Sequence, residues 1–143
     1  MPSNPEENND LISNIHPQTH LAVSSDGGHS VTGVRGRSIS GDEGTSISDE
    51  LGYARAGNRG HAVAGDRGIA ITGDGGISIV GVEGVARTGV GGTLVIAGED
   101  ENGIRYVVSA DVNEETGVKP DTMYRLRRHS LVMVGGFSMA ESE

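Results

Sequence analysis

GNRGHAVAGDRGIAIT, residues 57–72, is one eight-residue pattern written twice: a polar tetrad bounded by glycines, then four residues that alternate in size. Working outward in the same register, the chain from Ser25 to Ile96 divides without a gap into nine such units: SDGGHSVT, GVRGRSIS, GDEGTSIS, DELGYARA, GNRGHAVA, GDRGIAIT, GDGGISIV, GVEGVART and GVGGTLVI. Position one is glycine in seven of the nine, with Ser25 and Asp49 the exceptions, and position four is glycine in all nine. PQTHLAVS at 17–24 keeps the last four positions without the glycines and reads as a capping unit. Self-similarity at a fixed short period marks a repeat architecture. Two glycines in every octad, each about 1 kcal/mol worse than alanine in a helix interior, exclude helix here.

Positions one to four, rich in Gly, Asp, Asn, Arg and Glu, have the chemistry of a tight corner, where positive φ is cheap for glycine. Positions five to eight, rich in Ile, Val, Thr, Ser and Ala, make a four-residue strand. Neighbouring strand residues face opposite ways. From 25 to 88, positions six and eight carry only Ser, Thr, Ala and a single Val, whereas positions five and seven include Arg37, Arg55, Arg87, His29, His61 and Tyr53. An unpaired buried guanidinium is prohibitively costly, which places six and eight inside. The reverse assignment, with Ile and Val inside, requires the three arginines to escape at the ends or to pair. A lumen lined by such small groups closes only if two sheets approach tightly. The expected fold is all-β, a β-solenoid of flattened coils with two octapeptides, about 16 residues, per turn, capped by a small C-terminal antiparallel sheet. Five coils at about 4.8 Å each make a rod roughly 24 Å long. Buried hydroxyls then need partners from corner backbone or neighbouring rungs.

The whole chain of 143 residues holds 24 glycines, no cysteine, no tryptophan, one phenylalanine and three tyrosines, so an ordinary core of bulky side chains is not available. The expected organisation is a disordered segment at 1–16, the solenoid at 17–98, a cap at 99–135 and a flexible tail at 136–143. In the cap, Thr93–Ala97 and Ile104–Val112 flank the turn signal Glu99-Asp100-Glu101-Asn102-Gly103, forming a hairpin. Lys119-Pro120-Asp121-Thr122 introduces Met123–Leu126, and Leu131–Val134 follows the basic loop Arg127-Arg128-His129, which reads as solvated, with contact to an anion as the alternative. This sheet should cover the last coil, because an open ladder end invites aggregation.

The array, GVEGVARTGVGGTLVIAGEDENG at 81–103 and VKPDTMYRL at 118–126 together resemble a family of uncharacterised octapeptide-repeat proteins of phages, prophages and gut bacteria. Those proteins end in a strand, an acidic hairpin and a Lys-Pro-Asp-Thr-aromatic-Tyr strand. The likeness runs over residues 25–134, its most specific part is Lys119–Thr122, and Met123 departs from it by standing where an aromatic is expected. The resemblance implies the solenoid and a mobile-element origin, and it transfers no catalytic residue. Ice-nucleation proteins and trimeric adhesin heads use related repeats, but outward threonines in register are too few for the first and the period differs for the second.

Twenty acidic against eleven basic residues give a net charge of -9, which opposes nonspecific attraction to phosphate backbones, so no nucleic-acid partner is expected. No apolar run approaches membrane-spanning length and the first ten residues carry no signal-peptide pattern, so the expectation is no membrane and a place in the cytoplasm of a bacterial host cell. Asp42, Asp66 and Asp74 share position two, but the period of eight differs from that of calcium-binding β-rolls. GDGG at 73–76 and GVGG at 89–92 lack the strand, lysine and helix of a phosphate loop and read as corners. His16 and His20 are four apart, yet Pro17 opposes the helix that would make them a metal pair. No serine elbow or Ser-His-Asp grouping can be assembled. The expectation is therefore no catalytic, cofactor or metal residue and no enzyme.

With sixteen residues per turn, Val31, Ile47, Val63, Ile79 and Val95 form a continuous apolar ridge on one flat side, with Ile77 beside it. The other side reads Ile39, Arg55, Ile71, Arg87. Exposed contiguous apolar surface usually marks an interface. The ridge residues are thus the candidate site for a protein partner of unknown identity or for a homo-oligomer, a dimer being favoured, and the alternative is that the tail folds back over them. The functional expectation is a binding module, an inhibitor or adaptor of a host defence protein, against a purely self-assembling module. Excising sixteen residues such as 57–72 should leave a shorter rod. Excising eight should put every later unit on the wrong side and disturb packing at the tail.

Overall fold

The structure, a computed structural model, describes residues 21–127 and 129–134. The segments expected to be mobile, 1–16 and 136–143, lie outside the described residues, as do His16, His20 and Arg128. Each octad contributes one strand at the positions the alternation indicates: β1 (Leu21–Val23), β2 (His29–Val31), β3 (Arg37–Ile39), β4 (Thr45–Ile47), β5 (Tyr53–Arg55), β6 (His61–Val63), β7 (Ile69–Ile71), β8 (Ile77–Val80), β9 (Val85–Arg87) and β10 (Thr93–Glu99). Three more follow: β11 (Arg105–Asp111), β12 (Tyr124–Arg127) and β13 (Ser130–Met133). The chain is an all-β solenoid with no helix among the described residues, about five turns long.

Odd and even rungs separate into two sheets. Sheet A runs β1-β3-β5-β7-β9-β12-β13 and sheet B runs β11-β10-β8-β6-β4-β2. Partners in the parallel ladders are sixteen residues apart, as in Val31↔Ile47 and Ile39↔Arg55. Side chains at positions six and eight fill the space between the sheets: Ser30, Ser38, Ala54, Ala62 and Ala70 are wholly buried. Arg37 and Arg55 are exposed and Arg87 is half-buried on the outer side, so the inside-out register is excluded.

The corners show why the glycines recur, and the reason differs from the one the sequence suggests. Positive φ falls on position three, where six of nine residues are not glycine: Arg35, Glu43, Leu51, Arg59, Arg67 and Glu83, all between 58° and 63°. The invariant glycine at position four answers a lack of space. A methyl group on Gly60 would lie 2.6 Å from the Ala56 Cβ and 2.8 Å from the Gly44 carbonyl oxygen, and one on Gly92 would meet the Thr88 Cβ and the Gly76 oxygen at 2.6 and 2.7 Å. The corner folds back so closely on the side chain four residues earlier, and passes so close to the coil below, that only a hydrogen fits.

Both corners of a coil carry the same bonds. Gly27 N–H donates to Asp42 O and Arg35 N–H to Glu50 O, at 2.8 and 2.9 Å; Thr45 N–H donates to Gly28 O and Tyr53 N–H to Gly36 O, both at 2.9 Å. One operation, a half turn with half a coil's rise, therefore carries each octad to the next, and the octad is the true structural repeat.

Across the lumen the hydroxyls pair by a six-residue rule. Position eight of one octad meets position six of the next: Ser24 with Ser30 (2.9 Å), Thr32 with Ser38 (2.9 Å), Ser40 with Ser46 (2.9 Å) and Thr72 with Ser78 (3.1 Å). The position-six serine also donates to a carbonyl of the opposite sheet, Ser38 to Ile47 O and Ser78 to Arg87 O at 2.7 Å. Where one member is apolar the other usually is too, as in Ala56 with Ala62 and Ala64 with Ala70. Ser48 breaks the rule, because its mate is Ala54. Its Oγ has no hydrogen-bond partner although the residue is only 4% exposed. An unsatisfied buried hydroxyl costs about 1–3 kcal/mol. Ser48→Ala is therefore expected to raise unfolding stability by about 1 kcal/mol, and Ala54→Ser, which supplies the missing partner, to raise it as well. Urea unfolding followed by circular dichroism measures both, and a loss of stability in Ser48→Ala would refute the pairing rule.

The antiparallel C-terminal strands are divided between the two sheets. β11 pairs with β10 and extends sheet B, while β12 and β13 extend sheet A beyond β9. The break between solenoid and cap expected at residue 98 falls inside one continuous strand, β10. Larger side chains appear in the lumen at this end: Val80, Leu94 and Ile96 pack with Val112, Val118 and Tyr124. The Lys119–Thr122 segment is the last corner, returning the chain to sheet A. Asp121, at φ 54°, donates its N–H to Thr88 O at 2.7 Å, and Lys119 N–H donates to the Tyr124 hydroxyl at 2.8 Å.

Candidate interaction faces

The outer face of sheet B is built from positions five and seven of alternate octads. In register it reads His29, Thr45, His61, Ile77, Thr93 in one column and Val31, Ile47, Val63, Ile79, Val95 in the other. Ile47 is 38% exposed, and Val31, Val63, Ile77, Ile79 and Val95 are partly buried by their ladder neighbours. β2, β4, β6 and β8 contain no Asp, Glu, Lys or Arg. All six candidate residues thus come together on one face, as the sixteen-residue wrap indicates. The tail does not cover them among the described residues, because its strands pack at the end of the rod, on β9 and β10. His29 and His61 stand two rungs apart with Thr45 between them.

The outer face of sheet A has a different composition. Arg37, Arg55 and Arg87 project from it between Ile39, Ile69 and Ile71, and the Arg37 guanidinium lies over the Tyr53 ring at 5.1 Å from the centroid. Arg87 reaches Asp121 at 4.0 Å.

Along one corner, position two forms a vertical ladder. Asp26 Oδ1 accepts the Asp42 N–H, Asp42 Oδ1 the Asn58 N–H, Asn58 Oδ1 the Asp74 N–H and Asp74 Oδ1 the Val90 N–H, each at 2.9 or 3.0 Å. Asp66 does the same for Val82 on the other corner, at 2.9 Å. A side-chain oxygen thus continues the stacking where the backbone alone leaves an N–H without a partner. The position-two aspartates hold up the corners, and among the described residues no group of three or more His, Cys, Asp or Glu side chains is placed to hold a metal ion.

Two clefts lie at the cap. One, of about 410 Å³, sits between Val90 on the last corner and the 112–120 loop; among the described residues Glu114 and Lys119 are its charged lining groups, and no histidine or serine lines it. The other is walled by Glu99, Asp100, Glu101, Tyr106 and His129. Here Tyr106, the partner of Gly98 across β10 and β11, lies against that glycine's bare Cα and stacks on His129 with ring centroids 3.8 Å apart. His129, read from the sequence as part of a solvated basic loop, ties the β12–β13 turn to the β10–β11 hairpin. Aligning Tyr106 opposite Gly98 would have suggested an aromatic covering a strand glycine, but the His129 contact depends on two hairpins meeting in space.

Comparisons with protein families, characterised proteins and solved structures found no match for this chain.

Proposed function

We propose that this chain is a non-enzymatic protein-binding module whose contact surface is the outer face of sheet B. One observation carries the proposal: an unbroken apolar column from Val31 to Val95, whose first four strands, β2, β4, β6 and β8, hold no formal charge, in a chain of net charge -9. A rigid, parallel-stacked face of this kind loses little conformational entropy on docking, since its ladder is already ordered. The phage-type resemblance directs the choice of partner to a protein of a bacterial host, which the module would inhibit or adapt in the cytoplasm. A homodimer through the same face is the second reading, favoured by the flatness and lack of charge that make the surface self-complementary. Its area weighs against it. Five rungs by the width of a strand and its flanking corners come to about 500 Å² per copy, below the roughly 800 Å² per partner of a standard stable interface. A partner that also grips the corners gains what a second flat face does not.

The test compares wild type with Val63→Asp/Ile79→Asp. Both side chains point outward, so the variant is expected to keep the β circular dichroism spectrum and a cooperative melt. Sedimentation velocity then separates the readings: concentration-dependent association of wild type that vanishes in the variant assigns the face to a second copy. A wild-type monomer, with a host protein recovered by wild type and lost by the variant, assigns it to that partner. Unfolding of the variant would sink the proposal, because the face would then be part of the core.

A further inference from the structure

We infer that the outer face of sheet A is a docking groove for an extended acidic segment of a protein partner, a surface separate from the sheet B face and independent of its role. The chain has 20 acidic residues, yet none of the seven strands of sheet A contains an aspartate or glutamate. Five of the eleven basic residues lie on those strands: Arg37, Arg55, Arg87, Arg125 and Arg127. The last two belong to β12, where they are exposed while Tyr124 and Leu126 turn toward the core, so the cap lengthens the basic face by another rung. Eight acidic residues of the array stand at its corners, Asp42 and Asp74 among them holding the backbone of the next coil, against three arginines there, Arg35, Arg59 and Arg67. A basic stripe thus runs along the rod between edges that are acidic in balance.

The stripe contains a groove of about 510 Å³ walled by Ile39, Tyr53, Arg55, Ile71 and Arg87, with Asp121 at its end. Arg55 has no carboxylate within salt-bridge distance among the described residues, and Arg87 makes one long contact, 4.0 Å, to the exposed Asp121. That contact is easily exchanged for an incoming carboxylate, because surface pairs of this kind contribute little. Arg55 and Arg87 lie in one column with Ile71 between them, which puts them two coils or about 9.6 Å apart. A peptide in the extended polyproline II conformation advances about 3.1 Å per residue with three residues per turn, so acidic side chains three residues apart point the same way about 9.3 Å apart and match the two guanidiniums. The residues between them leave room for a small apolar side chain beside Ile71. Guanidinium forks suit carboxylates in two-point contact. A nucleic-acid strand is the poorer occupant, since its continuous phosphate charge would meet the acidic corners on either side.

The probe is a rhodamine-labelled peptide, Glu-Val-Ser-Glu-Val-Ser-Glu, with the same sequence carrying glutamine for glutamate as control. Fluorescence anisotropy with the full chain is expected to show binding of the glutamate peptide only, weakening as salt is raised. Arg55→Gln/Arg87→Gln should weaken it by at least about tenfold, while Arg35→Gln/Arg105→Gln, an equal change of charge off the groove, should leave it within about twofold. Arg55→Lys/Arg87→Lys, which keeps the charge and spares the fold, should recover part of the loss. The inference is overturned if wild type does not bind the glutamate peptide, if both glutamine pairs weaken it equally, or if a single-stranded oligonucleotide of equal charge binds more tightly. Retained binding by Val63→Asp/Ile79→Asp separates this groove from the sheet B face.

Discussion

Gly60→Ala is expected to lower unfolding stability by about 3 kcal/mol or more, and Gly60→Val to leave no cooperative unfolding transition. The added methyl has nowhere to go. Its two nearest neighbours are the Ala56 Cβ, set by the backbone, and the Gly44 carbonyl oxygen, which already accepts the His61 N–H at 2.9 Å. Relief requires the corner to lift from the coil below, which stretches that bond and its counterparts in the next rung. The contrasting substitution is Gly27→Asn. Gly27 has φ 72° and nothing within 4 Å of where a Cβ would stand, and six other corners place a non-glycine residue at the same conformation. Its cost is expected to stay near 1 kcal/mol, the conformational preference alone. Thermal and urea unfolding of the two variants check the contrast, and equal costs would show that glycine recurs at position four for its φ after all.

A pair of deletions should separate the fold from its faces. Removing 57–72 takes out one whole coil, β6 and β7, and the apolar column closes up as Val31, Ile47, Ile79, Val95. Removing 65–72 takes out half a coil. Read from the sequence, that excision should misplace every later unit and damage the cap. The structure leads to a different expectation, because the same bonds recur at both corners and one screw operation relates each octad to the next. The half-coil deletion should fold: Thr88, Asp121 and Tyr124 keep their mutual places, and both deletions bring an alanine opposite Ser78 at the seam, so the inner mismatch is equal. Each shortened rod loses stability in proportion to the rungs removed, as stacked repeats do. The surfaces, by contrast, diverge. In the half-coil deletion Arg87 follows Val63 on one side, and Arg55 is followed by Ile79 on the other, so no charge-free apolar column of full length survives. Association through the sheet B face is expected to persist in the sixteen-residue deletion and to be lost in the eight-residue one, by sedimentation and pull-down. Failure of the 65–72 deletion to fold would show that the two halves of a coil are not equivalent.

Much of this fold can be read along the chain because the contacts in the array recur at fixed short separations, sixteen residues along each ladder and six or nine across the lumen. Small side chains at positions six and eight, against arginines at five and seven, decided the inside from the outside, and the column from Val31 to Val95 needed only the coil length. The candidate face was legible for the same reason. The basic face was only partly so: Arg55 and Arg87 fall in one column on counting, but Arg125 and Arg127 join them only because β12 extends sheet A next to β9.

The sequence by itself determined the period, the strands and the direction of each side chain, since these are local matters of backbone sterics, strand alternation and the cost of burying charge. Tertiary structure decided what depends on two segments meeting. It placed positive φ on Arg35 and Leu51 and left Gly44 and Gly60 as points of close approach, because the carbonyls of Gly28 and Gly44 in the coil below leave no room for a Cβ. It paired Ser24 with Ser30 across the lumen and left Ser48 without a mate. Finally, it split the cap between two sheets and set His129 on Tyr106, contacts that no repeat encodes because they occur once, where the ladder ends.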